Sequence, residues 1–379
     1  MLDNNTGKKV VLVHGSDVSI PDGATQRVVA FVKALMKAGY DTYLVIPRPR
    51  GDIPVELRGA KMYTVPIKAR SIHDQIIRGL MVLHVAKAIA TKRNAIIQIE
   101  HSTLGGLATL IGINNFILDV HDIIYTSPAY LHISKTAQRF VYLMERRAVS
   151  TASKIIVISN IMKQFLITQW NVPKEKIVVI PNGCWREKIK RLINKNHGYE
   201  EDFIARIGHI FEFFNIEALI QLAKSLKNTA KIVLIGDGIL RPYLKYRLRK
   251  ENIKNVIITG YLPYKKAMKI LMKARITFEC MKKCLTTMLA CPVKILDYAA
   301  LGKAMVLSDV SEVSYELRKK GGALVSDPEE INAFVDNVHK LLIDDKLKER
   351  ISQKAMEFVK DYAWEKIGQN LIRLYEERL

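Results

Sequence analysis

The densest chemistry in the sequence lies in Cys291-Pro292-Val293-Lys294-Ile295-Leu296-Asp297-Tyr298-Ala299-Ala300-Leu301-Gly302-Lys303. Pro292 suits a first helical turn, whose unpaired N–H groups and dipole favour phosphate. Lys294 adds a cation there, and Asp297, about one turn further on the same face, could accept hydrogen bonds from ribose hydroxyls. A phosphate end and a sugar end on one helix describe a nucleotide site. Two glycine turns are further candidates for anion contact. Gly15 closes the first predicted strand, and Asp22-Gly23-Ala24 opens the first helix, where a glycine lets backbone approach an anion closely. The run lacks G-x-G-x-x-G, which counts against a dinucleotide-binding dehydrogenase. Gly236-Asp237-Gly238 follows the strand Lys231–Ile235, a turn that ordinary turn chemistry also explains. His121 and Asp122 end the strand predicted at Phe116–Asp122, so His121 ranks above His14, His73, His84 and His339 as a catalytic candidate, beside a plain structural reading.

These residues need elements to place them, and short β-rich apolar runs alternate with helical patterns throughout, the mark of parallel α/β architecture. The first half predicts strands at Val10–Gly15, Thr42–Pro47, Ala95–His101, Phe116–Asp122, Lys154–Ser159 and Lys176–Asn182. The second half predicts Phe203–His209, Lys231–Gly236, Asn255–Tyr261, Arg275–Cys280, Ala304–Asp309 and Ala323–Ser326. Ala24–Ala38 reads as an amphipathic helix with Val28, Val29, Phe31, Val32, Leu35 and Met36 on one face, stopped by Gly39. The pattern breaks at Pro181-Asn182-Gly183, and a basic, irregular stretch is expected from Arg186 to Tyr199. Two similar α/β halves joined there would be doubly wound sheets facing a cleft lined by the C-terminal ends of strands, where such folds bind ligands.

The chain has 379 residues, 49% hydrophobic and 25% charged, enough for two domains and excluding disorder and small disulfide scaffolds. Cys184, Cys280, Cys284 and Cys291 match no metal spacing, read as reduced structural thiols, and give no metal site. No apolar run reaches the roughly 18 to 20 residues that span a bilayer, and the N-terminal one is too short for a signal-peptide core, so a cytoplasmic protein is expected. The net charge of +22 favours anionic partners: nucleic acid, acidic lipids or phosphorylated small molecules. Residues 241–283 carry 13 Lys and Arg against Glu251 and Glu279, and residues 60–99 carry seven against Asp74. A lysine-rich soluble surface explains either cluster equally well. Nucleic acid rests on charge alone, with no recognisable module, and is not expected as a partner.

The Pro292–Lys303 segment resembles the donor-binding helix of GT-B glycosyltransferases of family 4, the glycosyl transferases group 1. Further matches run in the family's order: Gly23-Ala24 with Arg27, Asp119-Val120-His121-Asp122, Glu145-Arg146-Arg147, and Ile180-Pro181-Asn182-Gly183. They continue with Ile235-Gly236-Asp237-Gly238, Gly260-Tyr261-Leu262-Pro263 and Trp364-Glu365 before a final helix. The resemblance implies a GT-B fold of two Rossmann-like domains. An acceptor-side domain at 1–182 would be rejoined by the C-terminal helix, about 362–379, and a nucleotide-sugar domain would span 183–361. It implies sugar transfer from a nucleotide diphosphate sugar to a hydroxyl acceptor, with retention of configuration and neither obligatory metal nor cofactor. His121 would contact the donor sugar, Gly23 would approach the diphosphate, and Asp297 would hold the ribose.

Five positions depart from the family pattern. The arginine and lysine that grip the diphosphate fall on His209 and Phe214. The first of two glutamates spaced eight apart falls on Leu289 and the second is shortened to Asp297, and the first glycine of the N-terminal loop falls on Asp22. Arg206, Lys282, Lys283 or Lys294 could supply the missing cations, so Arg206 and Lys294 join Gly23, Gly236 and Asp297 as donor-binding candidates. The basic, amphipathic stretch Ile67–Arg93 could lie on an anionic membrane and collect a lipid-linked acceptor, as an enzyme peripheral at the inner membrane face would; a buried helix with a wet basic rim is the alternative. Two other functions fit the same architecture: a nucleotide-sugar epimerase, and a binding protein whose donor site has lapsed.

Overall fold

The computed structural model describes residues 8–20, 22–66, 72–127, 130, 132–194 and 201–377. The chain divides into two compact units, one of Met1–Asn182 with Glu365–Leu379 and the other of Gly183–Trp364.

The first unit is built on a seven-stranded sheet of β1 (Lys9–Val13), β2 (Asp41–Pro47), β3 (Lys61–Val65), β4 (Ile96–Glu100), β5 (Ile117–Val120), β6 (Lys154–Val157) and β7 (Ile177–Val179). All pairs are parallel, in the order β3-β2-β1-β4-β5-β6-β7. The central strands are buried on both faces, which is why they read as unbroken Val/Ile/Leu runs. Strand β3 escaped the sequence reading because it lies on the edge, half exposed, with polar residues among the apolar ones. Helices α1 (Gly23–Lys37), α2 (Ile72–Arg93), α3 (Ser102–Leu110), α4 (Lys135–Thr151) and α5 (Asn160–Trp170) connect the strands. Of the basic stretch expected at Ile67–Arg93, residues 67–71 lie outside the described residues, and the rest is α2. Its Val82, Leu83 and Ala86 are fully buried while Ile77 and Met81 remain exposed, so the helix packs on the sheet and keeps some apolar surface outward.

Arg27 on α1 is completely buried, and its guanidinium donates to both oxygens of Asp119 at the end of β5, at 2.7 and 2.9 Å. The same group donates to the Pro181 carbonyl and Asn182 Oδ1, both at 3.2 Å, so one side chain ties α1, β5 and the segment after β7 together.

The second unit repeats the plan with β8 (Glu201–Ile207), β9 (Lys231–Ile235), β10 (Val256–Gly260), β11 (Ala274–Glu279), β12 (Met305–Ser308) and β13 (Leu324–Ser326), parallel in the order β10-β9-β8-β11-β12-β13. Its helices are α6 (Arg186–Asn194), α7 (Ile216–Ser225), α8 (Arg241–Lys250), α9 (Tyr264–Lys273), α10 (Leu285–Leu289), α11 (Val293–Ala300), α12 (Glu312–Lys319), α13 (Ile331–Ile343) and α14 (Asp345–Phe358). Arg186–Asn194 is thus an ordered helix where an irregular segment was expected. Only Ile189 on it is fully buried, and its apolar Ile189, Leu192 and Ile193 sit among charged residues in a helix of nine residues, a short segment that reads as a basic linker. Residues 195–199 of that stretch lie outside the described residues.

The last helix, α15 (Trp364–Glu376), belongs to the first unit from Glu365 onward. Ile367, Leu371, Leu374 and Tyr375 are buried at helical spacing, and the Tyr375 hydroxyl donates to Gln98 of β4 at 2.7 Å.

Both strand orders place a topological switch point beside the first strand, between β1 and β4 in one unit and between β8 and β11 in the other. Sheets of this kind bind ligands in the crevice just beyond such points.

Candidate active site

At the switch point of the first unit, β1 runs into His14 and β4 ends at Glu100, with His101 immediately after it. His14 Nδ1 hydrogen-bonds Glu100 Oε2, and both residues are buried. From the end of β5, His121 brings Nδ1 to 3.4 Å from Glu100 Oε1. The approach is too oblique for a hydrogen bond, so both atoms and His14 Nε2 are buried without a hydrogen-bond partner among the described residues. His101 Nε2 lies 2.9 Å from Asp122 Oδ1, and the His101 and His121 rings meet edge to face with centroids 5.7 Å apart.

The charges in this cluster follow from burial and partners. Burial, reinforced by His121 and His101, lowers His14 to about 3, so it is neutral at pH 7. Burial also lowers His121, against the pull of Asp122. His101 feels the same burial, but the Asp122 carboxylate outweighs it and lifts the imidazole to about 9. His101 has φ 82 and ψ 129, an uncommon conformation for a non-glycine residue and a cost that the surrounding fold bears. Glu145 of α4 supports the neighbouring loop: it accepts from Ser102 Oγ at 2.6 Å and from the backbone N–H groups of Ile124 and Tyr125 at 2.9 and 3.0 Å.

Gly23 is the first residue of α1, but the helix end offered to a diphosphate is already capped. The Asp22 carboxylate accepts from Thr25 N at 2.8 Å, placing a negative charge where an anion would dock. A phosphate at Gly23 would have to displace or neutralise Asp22.

In the second unit the switch point is held by a carboxylate with two cations. Glu279, fully buried at the end of β11, accepts from Arg206 Nε of β8 at 2.9 Å and has Lys294 Nζ of α11 at 2.8 Å from its other oxygen. Arg206 spends its remaining donors on the carbonyls of Gly208 and His209, at 3.1 and 2.9 Å, and its guanidinium stacks on buried Phe214. With no exposed surface, Arg206, expected among the donor contacts, holds the strand end in shape in this structure.

Lys294 is the cation that remains reachable, with 17% of its side chain exposed. Tyr298, one turn further along α11, accepts from Ile207 N at 2.8 Å and so fixes the helix against the end of β8. A Cβ placed on Gly208 would lie 3.2 Å from Lys294 Nζ, so the ammonium sits against bare backbone. Burial lowers this lysine to about 8, Glu279 opposing and Arg206 adding to the effect.

Gly236 reaches the same place. It has φ 147, and a Cβ there would sit 2.2 Å from the Gly208 carbonyl oxygen. Only glycine fits both constraints. Gly236→Ala is expected to destabilise the second unit by about 3 kcal/mol, the range for a strained backbone position with a backbone clash. Urea denaturation followed by tryptophan fluorescence checks it, and a loss under 0.5 kcal/mol would refute the reading.

Asp297 turns elsewhere. It is buried, accepts from the Tyr264 hydroxyl of α9 at 3.0 Å, and burial raises it to about 7. The structure therefore gathers Lys294, Gly236 and the Arg206–Glu279 pair, and sets Asp297 apart with Tyr264. Three of the positions that depart from the family pattern have apolar or aromatic duties: Phe214 and Leu289 are buried, and His209 stacks on Phe211 and hydrogen-bonds the Tyr261 hydroxyl at 2.7 Å. Sequence reasoning missed Glu100, His101 and Glu279. The available signal was a charged residue ending an apolar strand in Ile96-Ile97-Gln98-Ile99-Glu100 and Ile276-Thr277-Phe278-Glu279.

Among the described residues no group of three His, Cys, Asp or Glu side chains could hold a metal ion, and no helix is long and apolar enough to cross a membrane.

Two family models match the chain back to back, Glycosyltransferase Family 4 over residues 21–185 and Glycosyl transferases group 1 over residues 186–358. The chain belongs to the GT-B glycosyltransferases of this group. Among solved structures it is similar to sucrose-phosphate synthase from Thermosynechococcus elongatus, with TM-score 0.79, 16% identity and 98% of each chain covered. It is also similar to HepE from Anabaena in complex with UDP and glucose, with TM-score 0.72, 16% identity, and 97% of this chain and 99% of that one covered. A curated relative is an N-acetylgalactosamine-N,N'-diacetylbacillosaminyl-diphospho-undecaprenol 4-alpha-N-acetylgalactosaminyltransferase from Campylobacter jejuni, 25% identical over 214 residues, 55% of this chain and 56% of that protein. The chain spans less than two thirds of the length of the curated relatives it matches, 63% and 56% for two of them.

Proposed function

We propose that this glycosyltransferase moves a sugar from a nucleotide diphosphate sugar to a hydroxyl acceptor carried on a lipid, with retention of configuration and without a metal. The observation that carries the donor half is Lys294, a partly exposed ammonium held against the bare backbone of Gly208 at a sheet switch point. An ammonium there would stabilise the charge on the departing diphosphate. Retention by same-face departure and attack is favoured because the carboxylates at the second unit's donor end are engaged: Glu279 by two cations, Asp297 by Tyr264. In the first unit His121, neutral and mostly buried, would face the donor sugar, and a diphosphate at Gly23 would bind by displacing the Asp22 cap. The lipid-linked acceptor draws support from the diphospho-undecaprenol in the Campylobacter relative's name, and association with an anionic membrane at the inner face of the cell from the exposed Ile77 and Met81 on a basic helix.

The test is calorimetric titration with nucleotide diphosphates and their sugars at low salt. A selective hit on one nucleotide sugar, weakened about tenfold by Lys294→Gln, is expected; no binding by any of them would defeat the donor assignment. The affinity should also depend on pH. Lys294 is protonated below about 8, so affinity should hold between pH 6 and 7.5 and fall as the pH rises past 8, by up to tenfold per unit. A flat profile to pH 9.5 would remove Lys294 from the site. Binding without turnover would instead support the lapsed-site reading, which the buried Phe214 and Leu289 favour.

A further inference from the structure

The first unit contains a cavity of about 370 Å³ at its switch point, within the range of small-molecule sites. Its walls are mostly apolar: Ile76 and Val82 from α2, Leu104 and Leu107 from α3, Phe140 and Val141 from α4. Its floor is the polar cluster of His14, Glu100, His101 and His121, and Arg78 also lines it. The two ends make opposite demands. The floor holds three buried polar atoms, His14 Nε2, Glu100 Oε1 and His121 Nδ1, that lack hydrogen-bond partners, and a hydroxyl reaching them would relieve that cost. The walls are largely hydrocarbon, with Gln75 and Thr103 the polar exceptions beside Ser16, and a free sugar would lose most of its hydration there with little compensation. Arg78 has Arg50 and Asp17 as its charged neighbours, and a second arginine beside it favours an incoming anion.

We infer that this cavity binds an anionic amphiphile directly, its apolar body between α2, α3 and α4, its anionic group at Arg78 and its hydroxyl or polar head toward His14, Glu100 and His121. This deepens the transferase reading and rests on it for the ligand's role as acceptor. The acceptor class is then a hydroxyl-bearing lipid phosphate whose hydrocarbon enters the protein, rather than a soluble glycan. The chemistry is of one kind throughout: apolar body, one anion, one hydroxyl.

The test uses geranyl phosphate, geraniol and N-acetylglucosamine as probes in calorimetric titration of the full chain. Geranyl phosphate should bind most tightly, geraniol more weakly and the free sugar not measurably. Val141→Trp, at a half-buried position, should fill the cavity and weaken geranyl phosphate at least tenfold, and Ala137→Phe serves if that variant fails to fold. Arg78→Gln should weaken geranyl phosphate about tenfold while leaving geraniol within twofold. Absence of saturable geranyl phosphate binding, a free sugar that binds more tightly, or indifference of the phosphate to both filled variants would overturn the inference. Nucleotide diphosphate titrations on the same samples separate the two failures. Nucleotide binding without amphiphile binding sinks the cavity assignment alone, whereas amphiphile binding without nucleotide binding sinks the transferase reading.

Discussion

Glu279→Ala is expected to destabilise the second unit by about 3–5 kcal/mol, enough to unfold a marginal domain. The reason is the arrangement that the carboxylate neutralises. Arg206 is wholly buried and Lys294 mostly so, and without Glu279 the interior would hold two adjacent cations and no anion. Arg206 would keep its two carbonyl acceptors and its stacking on Phe214, but its Nε–H would lose its acceptor, so uncompensated charge and an unpaired buried donor would add. Glu279→Gln, which can still accept from Arg206, should lose less. Urea denaturation of the three proteins at pH 7 measures the difference. Equal stability of the alanine variant and the parent would mean that water or a shift of Lys294 satisfies the cations, and would remove Glu279 as the keystone of the donor end. In the alanine variant the fall in donor affinity should move to lower pH, because a lysine without its carboxylate deprotonates earlier.

The second large effect is on rate. His121→Ala should slow sugar transfer by about 100-fold, in line with loss of one polar group that acts on the transition state, while donor affinity changes less than twofold. Stability should barely fall. His121 Nδ1 has no hydrogen-bond partner, and removing a neutral ring leaves the His14–Glu100 and His101–Asp122 pairs intact. A split of this kind separates action on the reacting groups from simple packing. Full activity in a folded variant would reduce His121 to a structural residue; equal losses in affinity and rate would make it a binding group.

Parallel strands buried on both faces announce themselves in sequence as short apolar runs, and every such run proposed here became a strand. The exceptions are instructive. Lys61–Val65 hid because an edge strand keeps polar residues, and Arg186–Asn194 because its apolar stripe is only Ile189, Leu192 and Ile193 within a short, charged run. The site was less legible than the fold. Lys294 and Gly236 were identifiable because a cation near a helix start and a glycine after a strand carry their chemistry locally. Arg206 looked like a ligand contact for the same reason, yet its partner Glu279 lies 73 residues away, and only the folded sheet shows that the charge is already spent. Asp22 stood in the sequence only as the residue before Gly23, in a glycine's place, and its competition with a diphosphate there became plain once the Thr25 contact was seen. Glu100 and Glu279 were missed together. They end the fourth strand on each sheet's far side of the switch point, and each pairs with a basic residue from the unit's first strand or just beyond it, His14 in one case and Arg206 in the other.

The return of α15 to the first unit sets an order of events during synthesis. The second unit is one uninterrupted stretch, Gly183–Trp364, and can close its core as soon as that stretch has left the ribosome. The first unit begins earlier but finishes later, because Leu371, Leu374 and Tyr375 reach it only after the whole of the second has been made. Until then the surface that α15 will cover, including Gln98 on β4, stands open to solvent and to any chaperone that recognises bare apolar surface.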